Sequence, residues 1–195
     1  TKLSRDQVEY RINKYLQEGL IKKFFPVFDW SKLGYEVLAI LLLKFEKPKM
    51  VEEFSKTLLK DKNCMSFGKV YGEYDLYLNC IFENEKQFNE FVSKLFENEE
   101  NFIINYIVIK PQFAELYPLK FFNYNKEDYI ISSHESKKEV KLSKTDLKIL
   151  KILSENGRTR LIDIAIKSEI SSELIWYRLK KLRKEKVILG NRIQF

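Results

Sequence analysis

The order in which hydrophobic periodicity changes between residues 36 and 110 limits the fold more than any other feature of this chain. Residues 36–46 contain an aliphatic run, 37–43, apolar at odd and even positions alike, which predicts a central strand buried on both faces. Residues 49–59 put Met50, Val51, Phe54 and Leu58 on one helical face. Residues 64–71 and 74–82 read as two strands around Gly72-Glu73, a hairpin signal. Residues 85–96 place Phe88, Phe91, Val92, Leu95 and Phe96 at helical spacing, and residues 102–110 form a last strand. The order is βαββαβ, the ferredoxin-like split unit of an α+β protein. Its two helices cover one face of the sheet. The other face is also apolar, and a homodimer or higher oligomer is expected to bury it, with shielding by the chain's own second domain as the competing reading.

Helical patterns flank this module. Residues 4–18 carry a Ser4 N-cap and align Val8, Ile12 and Tyr15, and Gly19 stops the helix. Residues 20–35 are mixed, with Pro26 and Gly34 as breakers, and residues 111–140 read as a connector holding Pro111 and Pro118. Residues 141–186 contain three helices. Ser143 with Asp146 opens the first, with Leu147, Leu150 and Leu153 inward, and Asn156-Gly157 closes it. A short second helix carries Ile162, Ala165 and Ile166. Ser171 caps a third, with Ile175, Leu179 and Leu182 inward, which completes a helix-turn-helix pattern. The expected domains are 1–35, 36–112, 113–140 and 141–195.

Charge separates these parts. The 195-residue chain has a net charge of +7, but residues 141–195 hold +8 and residues 1–140 hold −1. A small basic module is the footprint of a nucleic-acid or anionic-membrane binder, set against the plainer reading of a solvated basic surface. The seven-residue aliphatic run is far below the roughly 20 residues of a membrane span. A membrane-surface role is the weaker alternative, and no membrane partner is expected. Cys64 and Cys80 are too few for a disulfide framework or a metal cage, and His134 is the only histidine. With no charged-then-apolar leader at the start, the expectation is a cytoplasmic, cofactor-free protein that is not an enzyme.

The two ends of the chain repeat one another. Leu3-Ser4-Arg5-Asp6-Gln7-Val8-Glu9-Tyr10-Arg11-Ile12 aligns with Ile170-Ser171-Ser172-Glu173-Leu174-Ile175-Trp176-Tyr177-Arg178-Leu179 at an offset of 167, and Glu18 and Ile21 recur as Glu185 and Ile188. The copied unit is a recognition helix followed by a turn into a strand. The first copy lacks the two supporting helices, which suggests a segment of a longer tandem protein or a degenerate first domain.

These motifs resemble the Lrp/AsnC family of prokaryotic transcription regulators. Residues 142–150 look like the family's opening helix, Asn156-Gly157-Arg158 like its first corner, and residues 171–186 like its recognition helix, followed by Val187-Ile188 and Gly190. Gly19-Leu20-Ile21, Pro26, Asp29 and Lys32-Leu33-Gly34-Tyr35 resemble its exit from the recognition helix. Gly72-Glu73-Tyr74-Asp75 fits the Gly-x-Tyr-Asp signature of its effector and oligomerisation module. The order departs from the family's, because a sheet module here stands between half a helix-turn-helix and a complete winged one. The resemblance implies a regulator that binds double-stranded DNA, dimerises through the sheet and responds to a small amino-acid-like effector near Gly72, Tyr74 and Asp75. A tight turn is the structural reading of those three residues.

On the third C-terminal helix the outward set is Ser172, Glu173, Trp176, Tyr177, Lys180, Lys181 and Lys184, with phosphate contacts expected from Ser171, Arg178, Lys181 and Lys184. Packing of Trp176 on a neighbouring domain is the alternative. Residues 172–186 carry six positive and two negative charges against three and three in residues 5–18, so the C-terminal copy is the expected DNA reader. An assembly module without DNA binding is the rival reading. A second rival is a siroheme decarboxylase, of similar architecture, but its chemistry resembles a His- and Arg-lined tetrapyrrole pocket, and this chain offers His134 alone.

Overall fold

Periodicity becomes structure in this order: α1 (Arg5–Gln17), β1 (Lys23–Phe28), a 3-10 turn (Trp30–Leu33), β2 (Val37–Phe45), α2 (Pro48–Leu58), β3 (Cys64–Lys69), β4 (Leu76–Phe82), α3 (Glu85–Glu97), β5 (Ile103–Ile109), β6 (Phe113–Leu116), β7 (Ile131–His134), α4 (Lys144–Glu155), α5 (Leu161–Ser168), α6 (Ser172–Lys184) and β8 (Ile188–Gln194). The computed structural model describes residues 2–97, 102–116, 131–134 and 140–195. Two compact units result: the chain's ends, 2–29 and 140–195, form one, and the described residues between 30 and 116 make up most of the other.

The central unit is an antiparallel sheet in the order β3-β4-β2-β5, the ferredoxin-like arrangement expected from the sequence. β2 is central, and its burial alternates. Val37, Ala39, Leu41, Leu43 and Phe45 are buried against α2 and α3, together with Leu76, Leu78, Cys80 and Phe82 of β4. Phe45 packs on Phe54 of α2, and Phe82 on Phe88 and Phe91 of α3, at centroid distances of 5.4, 5.5 and 5.2 Å. Each such side chain contributes roughly 1.5–3 kcal/mol when fully buried. Burial on both faces of β2 does not hold within one chain: Leu38, Ile40 and Leu42 are only half-buried. Ile107 and Ile109, the cross-strand partners of Leu42 and Ile40, are 41% and 44% exposed.

Three local expectations are corrected. The β3–β4 connection spans residues 70–75 rather than Gly72-Glu73 alone, because Asp75 turns back onto β2 instead of continuing the strand. In α4 the inward residues are Asp146, Ile149, Leu150 and Leu153, at i, i+3, i+4 and i+7. Leu147, one position off that stripe, is 54% exposed. In α5, Ile162 and Ile166 are exposed, and Ile164 and Ser168 are buried. The connector contains β6 and β7, which pair with each other, and His134 ends β7.

The terminal unit joins the two copies of the repeat. β1 and β8 pair antiparallel, with Lys23 opposite Gln194 and Phe28 opposite Ile188. The strand that follows α1 thereby supplies the second strand of the wing of the C-terminal helix-turn-helix. β1 also sits on the corner after α4. The Gly157 N–H donates to the Phe24 carbonyl at 2.9 Å, and Arg158 lies 5.0 Å over the Phe24 ring. A Cβ at Gly157 would stand 3.1 Å from both the carbonyl carbon of Phe25 and the nitrogen of Pro26, so a side chain there fits only if β1 yields by a few tenths of an ångström.

Candidate nucleic-acid interface

The basic module works because α4 and α5 hold α6 by its apolar stripe. Ile175, Leu179 and Leu182 are buried, as are Ile149 and Leu153 of α4 and Ile164 of α5, the two helices that pack on α6. The link between α5 and α6 is tight: Glu169 takes the left-handed conformation, and the Ile170 N–H donates to the Ala165 carbonyl at 3.2 Å. Ser171 then starts α6, its hydroxyl accepting from the Leu174 N–H at 3.3 Å.

With that stripe inward, helical geometry fans the other residues around the outside. Glu173, Tyr177, Lys180 and Lys184 are exposed, while Ser172 and Lys181 are half-buried. Lys181 pairs with Glu185 at 3.8 Å. Trp176 is 58% exposed and carries the Lys180 ammonium 5.1 Å from its ring centre. This flank also bears Arg183, exposed and one further turn along, which the outward set above omits. Trp176, Lys180 and Arg183 line a groove of about 360 Å³ together with Leu153, Leu161 and Ile164.

Arg178 has a different situation. Its guanidinium points to the other flank, where Nη1 lies 3.6 Å from Oδ2 of Asp146. Asp146 is buried and also closes the α4 capping box, accepting from the Ser143 N–H at 2.8 Å and its hydroxyl at 2.7 Å. One carboxylate therefore ties the start of α4 to the middle of α6. The i to i+3 spacing of Ser143 and Asp146 signalled the cap. Nothing in local spacing signalled the partner, because the two residues are 32 positions apart in the chain.

The Gly72, Tyr74 and Asp75 motif lies in the central unit. Gly72 has a φ of 133°, a conformation that favours glycine, and Tyr74 is half-buried. Asp75 accepts from Lys44 Nζ and from the Phe45 N–H, both at 2.9 Å, and its own N–H donates to the Leu43 carbonyl at 2.9 Å. Burial works to raise its pKa, but the Phe45 N–H and the Lys44 ammonium outweigh it and hold the carboxyl below its ordinary value. Such a carboxyl binds fewer protons folded than unfolded. Its contribution is complete above the ordinary carboxylate range and is lost as pH falls through the lowered folded value. Asp75→Asn keeps an acceptor but loses the charge, and should cost on the order of 1 kcal/mol at pH 7. Denaturant titration should show that deficit shrinking on the acid side; an equal deficit at pH 7 and pH 3 would refute the charge-based account.

Comparison with known proteins agrees with this geometry. Residues 142–188 match the family described as winged helix-turn-helix DNA-binding. The HTH-type transcriptional regulator FL11 of Pyrococcus furiosus is 32% identical over 92 residues, which cover 47% of this chain and 60% of FL11. An uncharacterized HTH-type transcriptional regulator of Pyrococcus abyssi is 33% identical over 82 residues, 42% of this chain and 55% of the relative. The chain thus spans little more than half the length of the curated relatives it matches. Among solved structures, the siroheme decarboxylase NirDL aligns over 98% of this chain and 56% of its own, with a TM-score of 0.66 at 16% identity. A transcriptional regulator of Neisseria meningitidis, solved in complex with L-Met, aligns over 60% of this chain and 74% of its own, with a TM-score of 0.51 at 16% identity. At those identities the likeness is one of fold. The α+β architecture with a C-terminal winged helix-turn-helix, read from the sequence, is borne out. No helix among the described residues is long and apolar enough to cross a membrane.

Proposed function

We propose that this chain of Lrp/AsnC type binds duplex DNA through α6 as a transcription regulator. The observation that carries the reading is a recognition helix held by its apolar stripe, with Tyr177, Lys180 and Lys184 exposed on the opposite side, in a segment with six positive and two negative charges. In this reading Ser171, Lys181 and Lys184 hold phosphates. Glu173, Tyr177, Trp176 and Lys180 face base edges and sugar, Ser172 supports the first turn, and Arg183 adds to the basic flank. Arg178 serves through Asp146, fixing the helix that carries the others. The matching family and the named regulators of Pyrococcus support a DNA-binding role.

The open sheet face, with Ile107 and Ile109 exposed opposite Leu42 and Ile40, is the surface through which a second copy docks, giving a dimer or a higher oligomer. The Neisseria relative in fold was solved with an amino acid, and an amino-acid-like effector near the Gly72 hairpin is proposed on that analogy. Regulation rather than catalysis, in the cytoplasm and without a cofactor, completes the reading.

The test is affinity for a mixed-sequence duplex as a function of salt. The full chain should bind with a log–log slope of about −0.9 for each phosphate neutralised, hence a steep loss as salt rises. Absence of binding at low salt would overturn the proposal.

A further inference from the structure

We propose that α1 is a second, weaker DNA-reading helix, related to α6 by a local two-fold axis, so that one chain spans two half-sites. Tyr10 and Lys14 would be its contacts, with Ser4 at a phosphate. The inference rests on the reading of α6 as the DNA-binding helix, and extends it from one half-site to two.

The axis follows from the strand register. At the repeat offset of 167, residue 25 of the first copy corresponds to residue 192 of the second. In the β1–β8 ladder Phe25 lies opposite Arg192, so the same position of each copy faces its counterpart. Two equivalent strands that pair antiparallel and self-opposed are related by a dyad through that pair, as in an isologous dimer interface. Here both halves come from one chain and lie in one compact unit.

The helices ahead of the strands share several of their bonds. Ser4 accepts from the Gln7 N–H at 3.3 Å, as Ser171 accepts from the Leu174 N–H at 3.3 Å. Lys14 pairs with Glu18 at 3.7 Å, and Lys181 with Glu185 at 3.8 Å. The Glu18 N–H donates to the Lys14 carbonyl and the Glu185 N–H to the Lys181 carbonyl, both at 2.9 Å. The next residues, Gly19 and Lys186, both turn left-handed, with φ values of 73° and 56°. Val8, Ile12 and Tyr15, half-buried where Ile175, Leu179 and Leu182 are fully buried, are the least exposed residues of α1, so the two helices face inward with the same stripe.

The outward residues then correspond as well. Tyr10 matches Tyr177, and the two rings are 70% and 58% exposed. Lys14 matches Lys181, and Asp6 matches Glu173. The losses are as informative: Trp176, Lys180 and Lys184 are replaced by Glu9, Asn13 and Gln17. α1 keeps the tyrosine and one lysine of the α6 face and lacks the stacked Trp–Lys pair and the last cation. Duplex DNA has dyads of its own, and two-fold-related recognition helices match half-sites about one helical turn apart. The pair should therefore read a lopsided site, strong under α6 and weak under α1.

Hydroxyl-radical footprinting of the full chain on a duplex selected by that chain tests this. Under each bound copy of the chain two protected patches are expected, about one turn apart and unequal in depth. Tyr10→Ala combined with Lys14→Glu should erase the weaker patch, lower affinity about tenfold and leave the stronger one in place. Both positions are on the surface, so the far-ultraviolet circular dichroism should not change. A single patch indifferent to that pair of substitutions overturns the inference and leaves the α6 reading standing. So do two equal patches that vanish together on substitution of α6 alone, since these come from two copies of the chain. No protection at all overturns both readings.

Discussion

Replacing Lys181 and Lys184 together by glutamate should lower affinity for duplex DNA by about a hundredfold or more near ~0.1 M salt, and remove about two from the log–log salt slope. Each lysine that meets a phosphate displaces condensed counterions, and its reversal both forfeits that release and adds repulsion. The two residues lie on the outward side of a helix whose inward side is complete without them. The cost to folding is therefore small: Lys181→Glu turns the ion pair with Glu185, one turn away, into a like-charge pair, a change worth a few tenths of a kcal/mol on a helix surface. Oligomer size and helix content should stay as they are. Unchanged affinity with a folded variant would show that the DNA face had been assigned to the wrong side of α6, and full loss with altered oligomer size would show that the face is used for assembly.

How much of this was legible in the sequence depends on the distance over which each feature is encoded. The elements of the central unit were legible because Val51, Phe54 and Leu58, or Phe88 and Leu95, declare a helix face within a dozen residues. Ser4, Ser143 and Ser171 marked their helix starts for the same reason: a cap acts three residues away. The inward stripe of α4 was misplaced because Leu147 is as apolar as Ile149, while the residue that fixes the frame is the buried Asp146, which hydrophobicity alone assigns to the surface. The repeat was visible, but not its meaning. Only the ladder, with Phe25 against Arg192, shows that the copies pair with each other. Arg178 is expected from the sequence to contact phosphate; its half-buried position beside Asp146 follows from packing between α4 and α6, which no local spacing encodes.

That contact carries the second large effect. Asp146→Ala removes, in one substitution, the reciprocal cap of α4 and the counter-charge of Arg178. A capping side chain contributes about 1 kcal/mol, and taking one partner from a buried ion pair costs about 3–5 kcal/mol. The Arg178 side chain is 26% exposed and so keeps some access to water, which places the expected loss near the lower end of that sum, about 4 kcal/mol in all. The Asp146 carboxylate and the Arg178 Nε each retain an atom without a hydrogen-bond partner, so the pair has no spare contact to fall back on. Arg178→Met, which fills the same space without a charge, should cost less than Arg178→Ala, since it keeps packing while leaving Asp146 with both its Ser143 bonds. The readout that separates positioning from mere stability is DNA affinity measured well below the melting midpoint. If Arg178 acts by aiming α6, Arg178→Met should lose affinity without losing about one unit of salt slope. If it meets a phosphate directly, the slope should fall by about that unit, and Arg178→Lys should restore it.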